Sequence, residues 1–244
     1  MTRVALATAL RVLQQLRHDP RTLAILLVLP SVLLALVKWV FSGQPEIFQR
    51  IGAPLLGIFP LTSMFLVTSI AMLRERVSGT LERLMTLPLG RFDLLLGYGT
   101  AFGAAAAVQA AVTSLVAFGA LGLDVQGSLW AVVALAVLNA VLGTALGLFV
   151  SAFATTEFQA VQFMPVFLMP QFLLCGLFTP RSHMARGLRW ISDYLPMTYA
   201  YDALHRVTLG TTDGARMTVD LAVLFGVMVA GLVLGAATLP RRTP

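Results

Sequence analysis

The sequence predicts an all-α polytopic membrane protein with six transmembrane helices, and three observations predict it. Of its 244 residues, 58% are hydrophobic and only 11% charged, with a mean hydropathy of +0.85, where an ordinary soluble domain carries roughly 25% charged residues. The apolar residues gather into runs long enough to cross a hydrocarbon core of about 30 Å. The 17 basic residues, which set a formal charge of +6 and a pI of about 10.4, sit mostly in short segments flanking those runs. That placement fits membrane orientation rather than a basic face for nucleic acid.

The chain opens on residues 1–22, where Arg3, Arg11, Arg17 and Arg21 accompany a helical stripe of Leu6, Leu10, Leu13 and Leu16. This pattern predicts an interfacial helix lying along the membrane surface, ended by Asp19 and Pro20. The expected spans are residues 23–41, 53–73, 94–121, 129–154, 158–178 and 221–239. The first is longer than a signal-peptide core and lacks a small-residue cleavage site, so it is expected to be retained. Six spans put both ends on one face. That face carries ten Lys and Arg against seven on the other, which places both ends in the cytoplasm. Sixteen of the 17 basic residues are Arg, which with abundant Ala and Gly fits a GC-rich bacterial genome.

Two connecting segments carry structure of their own. In residues 74–93, Val77, Leu81, Leu84 and Met85 share one helical face with Leu73, while Arg74, Glu75, Arg76, Glu82 and Arg83 lie around the other. The spacing predicts one amphipathic helix ending before Pro88. Gly79 in its middle would cost roughly 1 kcal/mol relative to Ala, which suggests the close approach of another surface. In residues 179–218, Met184, Leu188, Ile191 and Leu195 form one stripe and Met197, Tyr201, Leu204 and Thr208 a second, with Pro196 between. Two short helices at the outer interface fit this, with Trp190, Tyr194, Tyr199 and Tyr201 supplying rings for headgroup depth.

The string Glu75-Arg76-x-x-Gly79-Thr80-Leu81-Glu82-Arg83-Leu84-Met85-x-x-Pro88-Leu89-x-Arg91 resembles the cytoplasmic loop between the second and third spans of type-2 ABC transporter permeases. The segment Gly176-Leu177-Phe178-x-Pro180, followed by Leu195-Pro196-Met197-Thr198-Tyr199, is similar to the outer hairpin of the same family. The resemblance implies one permease domain over residues 1–244, with a cytoplasmic coupling helix and an outer re-entrant or interfacial hairpin marked by Pro180, Arg189, Pro196 and Tyr199. It implies that Arg74, Glu75, Arg76, Gly79, Thr80, Glu82, Arg83, Leu84, Pro88 and Arg91 dock on a separate ABC ATPase subunit, present in two copies. ATP and Mg would bind that partner. A second copy or paralogue of the permease would complete the pathway in the bacterial inner membrane. Tyr98, following Gly97 where the family commonly has Lys, removes a positive anchor and leaves that task to Arg91.

The chain cannot supply the ATP site itself. A phosphate-cradling G-x-x-x-x-G-K-[ST] loop needs a Lys, and the single Lys is Lys38, late in a span. No H-E-x-x-H or G-x-S-x-G is present, and His18, His183 and His205 lack metal spacing, so a non-enzyme is expected. Cys175 is alone, which excludes an intrachain disulfide. An ion-coupled carrier keeps ionisable groups deep in the bilayer at a cost of at least about 2.5 kcal/mol each, and the expected spans hold none. Gln109, Thr113 and Asn139 suit hydrogen bonds between helices. Asn139, Gln162 and Gln171 are the candidates for a substrate path, the last two because Pro165 and Pro170 interrupt their span. The expected function is export of a lipophilic or lipid-linked, drug-like molecule; the alternative is a membrane scaffold or immunity protein that binds a soluble partner through residues 74–93.

Overall fold

A computed structural model describes residues 3–85, 90–211 and 213–238. Among these there are ten α-helices and no strand: α1 (Arg3–Arg17), α2 (Pro20–Val40), α3 (Pro45–Val77), α4 (Thr80–Met85), α5 (Arg91–Leu115), α6 (Leu129–Val150), α7 (Glu157–Leu174), α8 (Arg186–Ser192), α9 (Pro196–Thr208) and α10 (Gly214–Ala237). α2, α3, α5 with its extension to Ala120, α6 and α10 are long and apolar enough to cross a membrane. α7 spans only 18 residues, ends at Leu174 rather than near 178, and carries Glu157, Gln159, Gln162 and Gln171. Among the described residues five helices thus meet the length and apolarity needed to cross, and α7, expected as a sixth span, is not one of them.

The bundle is built around α3, which packs against α2, α5, α6, α7 and α9. Its closest neighbour is α6, and glycine is the reason. A Cβ at Gly143 or Gly147 would collide with the Leu61 or Phe65 carbonyl oxygen of α3, so the two backbones are in direct contact, as small-xxx-small seams allow. The two other glycine pairs are looser. A Cβ at Gly99 or Gly103 meets only ordinary side-chain contacts, and those at Gly231 and Gly235 sit a little further from α6. Between α3 and α5, Gln109 Nε2 donates to Ser63 Oγ, so one of the expected hydrogen bonds between spans is made, while Gln109 Oε1 stays buried without a partner among the described residues.

Three expectations need correction. α10 begins at Gly214, which brings Asp220 inside a candidate span, 3% exposed. That is affordable because Arg206 pairs with it. α9 is a core helix rather than an interfacial one, with Met197, Tyr201 and Leu204 buried. Only α8 keeps its apolar side chains, Leu188 and Ile191, outside. α3 also carries two interior prolines, Pro54 and Pro60, so prolines alone do not single out α7. α1 keeps Leu6 and Leu10 of the expected stripe outward and packs on the bundle through its small face, Ala5, Thr8, Ala9 and Val12. Gly97 of α5 makes room for it: a Cβ there would stand 2.6 Å from Thr8 Cβ and 2.8 Å from the Ala5 carbonyl oxygen.

The seam predicts an asymmetry between glycines. Gly143→Ala should force α3 and α6 apart and cost about 1–3 kcal/mol, whereas Gly103→Ala should fall within about 0.5 kcal/mol of the parent. Thermal unfolding in detergent distinguishes the two, and equal shifts would contradict backbone contact at the seam.

Candidate functional site

The residues expected to form one coupling helix divide into two pieces. α3 runs through the membrane-length segment and continues to Val77; Ser78 caps it, Gly79 takes φ +71, and α4 starts at Thr80. The left-handed dihedral explains the glycine. No described atom of this chain lies within 4 Å of a Cβ built there, so within the chain it is the backbone joint that calls for glycine. Ser78 Oγ and Thr80 Oγ1 bond across the joint at 2.9 Å. Leu81 of α4 is buried in the same apolar cluster as Val12 of α1 and Leu94 of α5. Pro88, and the side chains of Glu82, Leu84 and Arg91, lie outside the described residues.

Three consecutive residues at the end of α3 bind three different elements. Successive helical residues point about 100° apart, so Arg74, Glu75 and Arg76 radiate from the helix. Arg74 makes a bidentate pair with Glu157 at the start of α7, at 2.7 and 3.1 Å. Glu75, whose side chain is 11% exposed, accepts from Arg11 of α1 at 3.3 Å. Arg76 donates to the Ser151 carbonyl, just beyond α6, at 3.0 Å. Arg11 also donates to the hydroxyl of buried Tyr98 at 2.5 Å and stands over its ring. These three charges, expected to face a partner, therefore tie α3 to its own bundle. Thr80 and Arg83 remain on α4, which extends beyond that tie.

Four residues of this arrangement were not legible as partners. Arg11 reads in the sequence as one of several membrane-flanking arginines, Glu157 as a solvated helix-start charge, and Ser151 contributes only its backbone. Tyr98 brings no positive charge, but its ring packs between α1 and α5 and its hydroxyl accepts from Arg11.

The candidate path residues do not come together. Asn139 is fully buried on α6, against Gly57 of α3 and Leu204 of α9. Gln171 accepts from the Met197 backbone N–H at 3.4 Å and donates to the Phe167 carbonyl at 3.0 Å, so it caps α9. Gln162 alone is exposed, on the outer side of α7.

At the opposite end of the bundle, an alternating ladder of charges joins the hairpin to α10. Asp193 pairs with Arg181 at 2.9 Å, Arg181 with Asp202 at 3.1 Å, Asp202 with Arg206 at 3.8 Å, and Arg206 with Asp220. Burial raises the Asp202 carboxyl above its ordinary value against the pull of Arg181 and Arg206. Of the expected hairpin residues, Tyr199 bonds the Asp193 carbonyl at 2.6 Å. Pro180 precedes the short turn of Arg181–His183, Pro196 starts α9, and Arg189 lies in the last turn of α8.

Comparison with known proteins bears on this arrangement. The profile of the family described as ABC-2 type transporter matches residues 4–209. The "Probable multidrug ABC transporter permease YbhR" of Escherichia coli (strain K12) is 28% identical over 141 residues, 57% of this chain and 38% of that protein. The "Inner membrane transport permease YhhJ" of the same strain is 27% identical over 134 residues, 54% of this chain and 36% of that protein. "ABC transporter G family member 20" of Dictyostelium discoideum is 26% identical over 143 residues, 59% of this chain and 20% of that protein. The chain thus matches less than two fifths of the length of each of these relatives.

The tie between α1 and α3 predicts non-additive loss. Arg11→Ala and Glu75→Ala should each lower the unfolding temperature, and the double variant should lose less than the sum, with a coupling of about 1 kcal/mol; additive losses would refute the pair. At the joint, Gly79→Ala should cost about 1 kcal/mol and Gly79→Asn less, because Asn tolerates left-handed dihedrals. Hydrogen exchange across α4 reads this out, and an alanine variant as protected as the parent would contradict the assigned dihedral.

Proposed function

Because the chain belongs to the ABC-2 type transporter family, we propose that it is the membrane-spanning permease subunit of an ATP-driven exporter whose ATP and Mg are held by a separate ATPase subunit. The observation that carries the coupling part of this reading is the clamp on α3. A force applied to α4 reaches α3 across one joint, and α3 is bonded at that level to α1, to the end of α6 and to α7. ATP-driven movement of the docked ATPase then shifts the helices as a group and rebalances inward- and outward-open states. The docking surface is α4 with the segment after it, Thr80, Glu82, Arg83, Leu84, Pro88 and Arg91; Arg74, Glu75 and Arg76 act behind it as the clamp. The count of ten basic residues against seven supports placing this end in the cytoplasm.

Two copies, identical or paralogous, form the pathway around a two-fold axis. The exposure of α7 supports placing it on that pathway. Pro165 and Pro170 leave the Val161 and Val166 carbonyls without their helical donors, both residues are exposed, and Gln162 is exposed beside them. Polar groups of this kind face a water-filled path or a second protein surface more cheaply than lipid. Gln162 therefore remains the path candidate, while Gln171 caps α9 and Asn139 is buried with neither amide atom hydrogen-bonded among the described residues. The description of one relative as a probable multidrug permease supports a lipophilic, drug-like or lipid-linked cargo leaving the cytoplasm of a bacterial cell.

The test is co-purification with a candidate ATPase, followed by ATP hydrolysis in lipid vesicles against a panel of lipophilic compounds. The parent should show compound-stimulated turnover. Glu82→Arg should insert and dimerise normally and lose that stimulation at least tenfold, and Gln162→Leu should change the order of preference among compounds. A chain that binds no ATPase and transports nothing would point to the scaffold reading, and unchanged coupling in Glu82→Arg would remove α4 from the docking surface.

A further inference from the structure

Beside the clamp lies a cavity of about 500 Å³ that the coupling reading does not use. It opens between the α1–α2 corner on one side and α3 with α5 on the other. Its walls change character along α3: Leu66, Val67 and Ile70 line one end, and Arg74, Glu75 and Ser78 the other. The rise between Leu66 and Ser78 is about 18 Å at 1.5 Å per residue, close to the roughly 15 Å of one leaflet of hydrocarbon. Across from this wall, Asp19 and Thr22 lie at the start of α2 and Ile25 about a turn further along it, while Phe102 of α5 lines the cavity on the same side as α3. The slot thus grades from charged to apolar over the depth of a single leaflet.

The polar end carries both signs of charge. Glu75 is matched by Arg11. Arg74 spends two of its five N–H donors on Glu157 and keeps a side chain 57% exposed. Asp19 accepts from the Thr22 N–H at 3.2 Å and its hydroxyl at 2.6 Å, which hold the carboxyl below its usual value, and Arg74 across the opening adds to this. Asp19 is therefore ionised at neutral pH, and no basic side chain is paired with it among the described residues.

We infer that this cavity holds one phospholipid with a zwitterionic headgroup, its phosphate on Arg74, its ammonium on Asp19 and an acyl chain between α2 and α3 against Val67, Ile70 and Phe102. Charge complementarity selects the headgroup: a guanidinium with spare donors suits a phosphate, and the unmatched carboxylate favours an added cation and disfavours a purely anionic lipid. The site belongs to a single chain and does not depend on ATP or on transport. Its occupant would fill the gap between the α1–α2 corner and α3.

Native mass spectrometry of the full chain from detergent, titrated with phosphatidylethanolamine and with phosphatidylglycerol, tests the assignment. The parent should bind phosphatidylethanolamine at least tenfold more tightly than phosphatidylglycerol. Ala71→Phe, which places a ring in the slot, should abolish the tight adduct. Asp19→Asn retains a good helix cap and should reduce the preference to less than threefold, and Arg74→Gln should weaken both lipids. Equal affinities in the parent, an unchanged preference in Asp19→Asn, or a tight adduct surviving Ala71→Phe would each overturn the proposal. So would tighter binding of tetraphenylphosphonium, a lipophilic cation without a phosphate.

Discussion

The arrangement depends on three adjacent charges at the end of one long helix. Arg74, Glu75 and Arg76 follow one another in sequence, and helical geometry sends them in three directions, to α7, α1 and the end of α6. Each contact is modest, since exposed ion pairs contribute about 0–1 kcal/mol, and the Arg74–Glu157 pair is about half exposed on both sides. Their value is geometric. They fix the end of α3 relative to three neighbours at once, so the helix cannot turn about its own axis without breaking bonds on several sides.

Further along, α3 is held by contact of a different kind. The Gly143 and Gly147 seam with α6 brings backbone against backbone, and interior packing of that density has few intermediate arrangements. Buried polar side chains in the same region are only partly matched: Gln109 Nε2 donates to Ser63 Oγ, while Gln109 Oε1 and both amide atoms of Asn139 are buried without a hydrogen-bond partner among the described residues. Asp220, deep for a carboxylate, is tolerated because the ladder from Asp193 through Arg206 ends on it. The two ends of the bundle are thus charged and specific, and the middle is apolar and close-packed.

Much of the architecture was legible in the sequence because it rests on patterns within single segments. Long apolar runs gave the membrane helices, and Asp19-Pro20 and Pro196 marked real helix starts. The misreadings arose where a residue's role depends on another part of the chain. Gly79 carries no local sign that its neighbours form two helices rather than one. The apolar stripe of α1 was visible, but the face that packs is the small one, because Gly97 allows Ala5 and Thr8 to come close. Gln171 stood out through the prolines of its span and Asn139 as a polar group in another; that Gln171 caps α9 and that Asn139 lies beside Leu204 depend on where α9 packs. Arg11 and Glu157 are separated from their partners by 64 and 83 residues, a distance over which spacing within a segment says nothing.

The left-handed residue between α3 and α4 has a consequence for how such a protein can change. At most helix junctions the direction of the departing segment is set by side chains, so altering the surface of that segment also alters where it points. At Gly79 the turn is written into the main chain, in open space, by a residue with no side chain. The outward face of α4 can therefore accumulate substitutions, and with them new binding preferences, while its angle to the bundle is inherited unchanged.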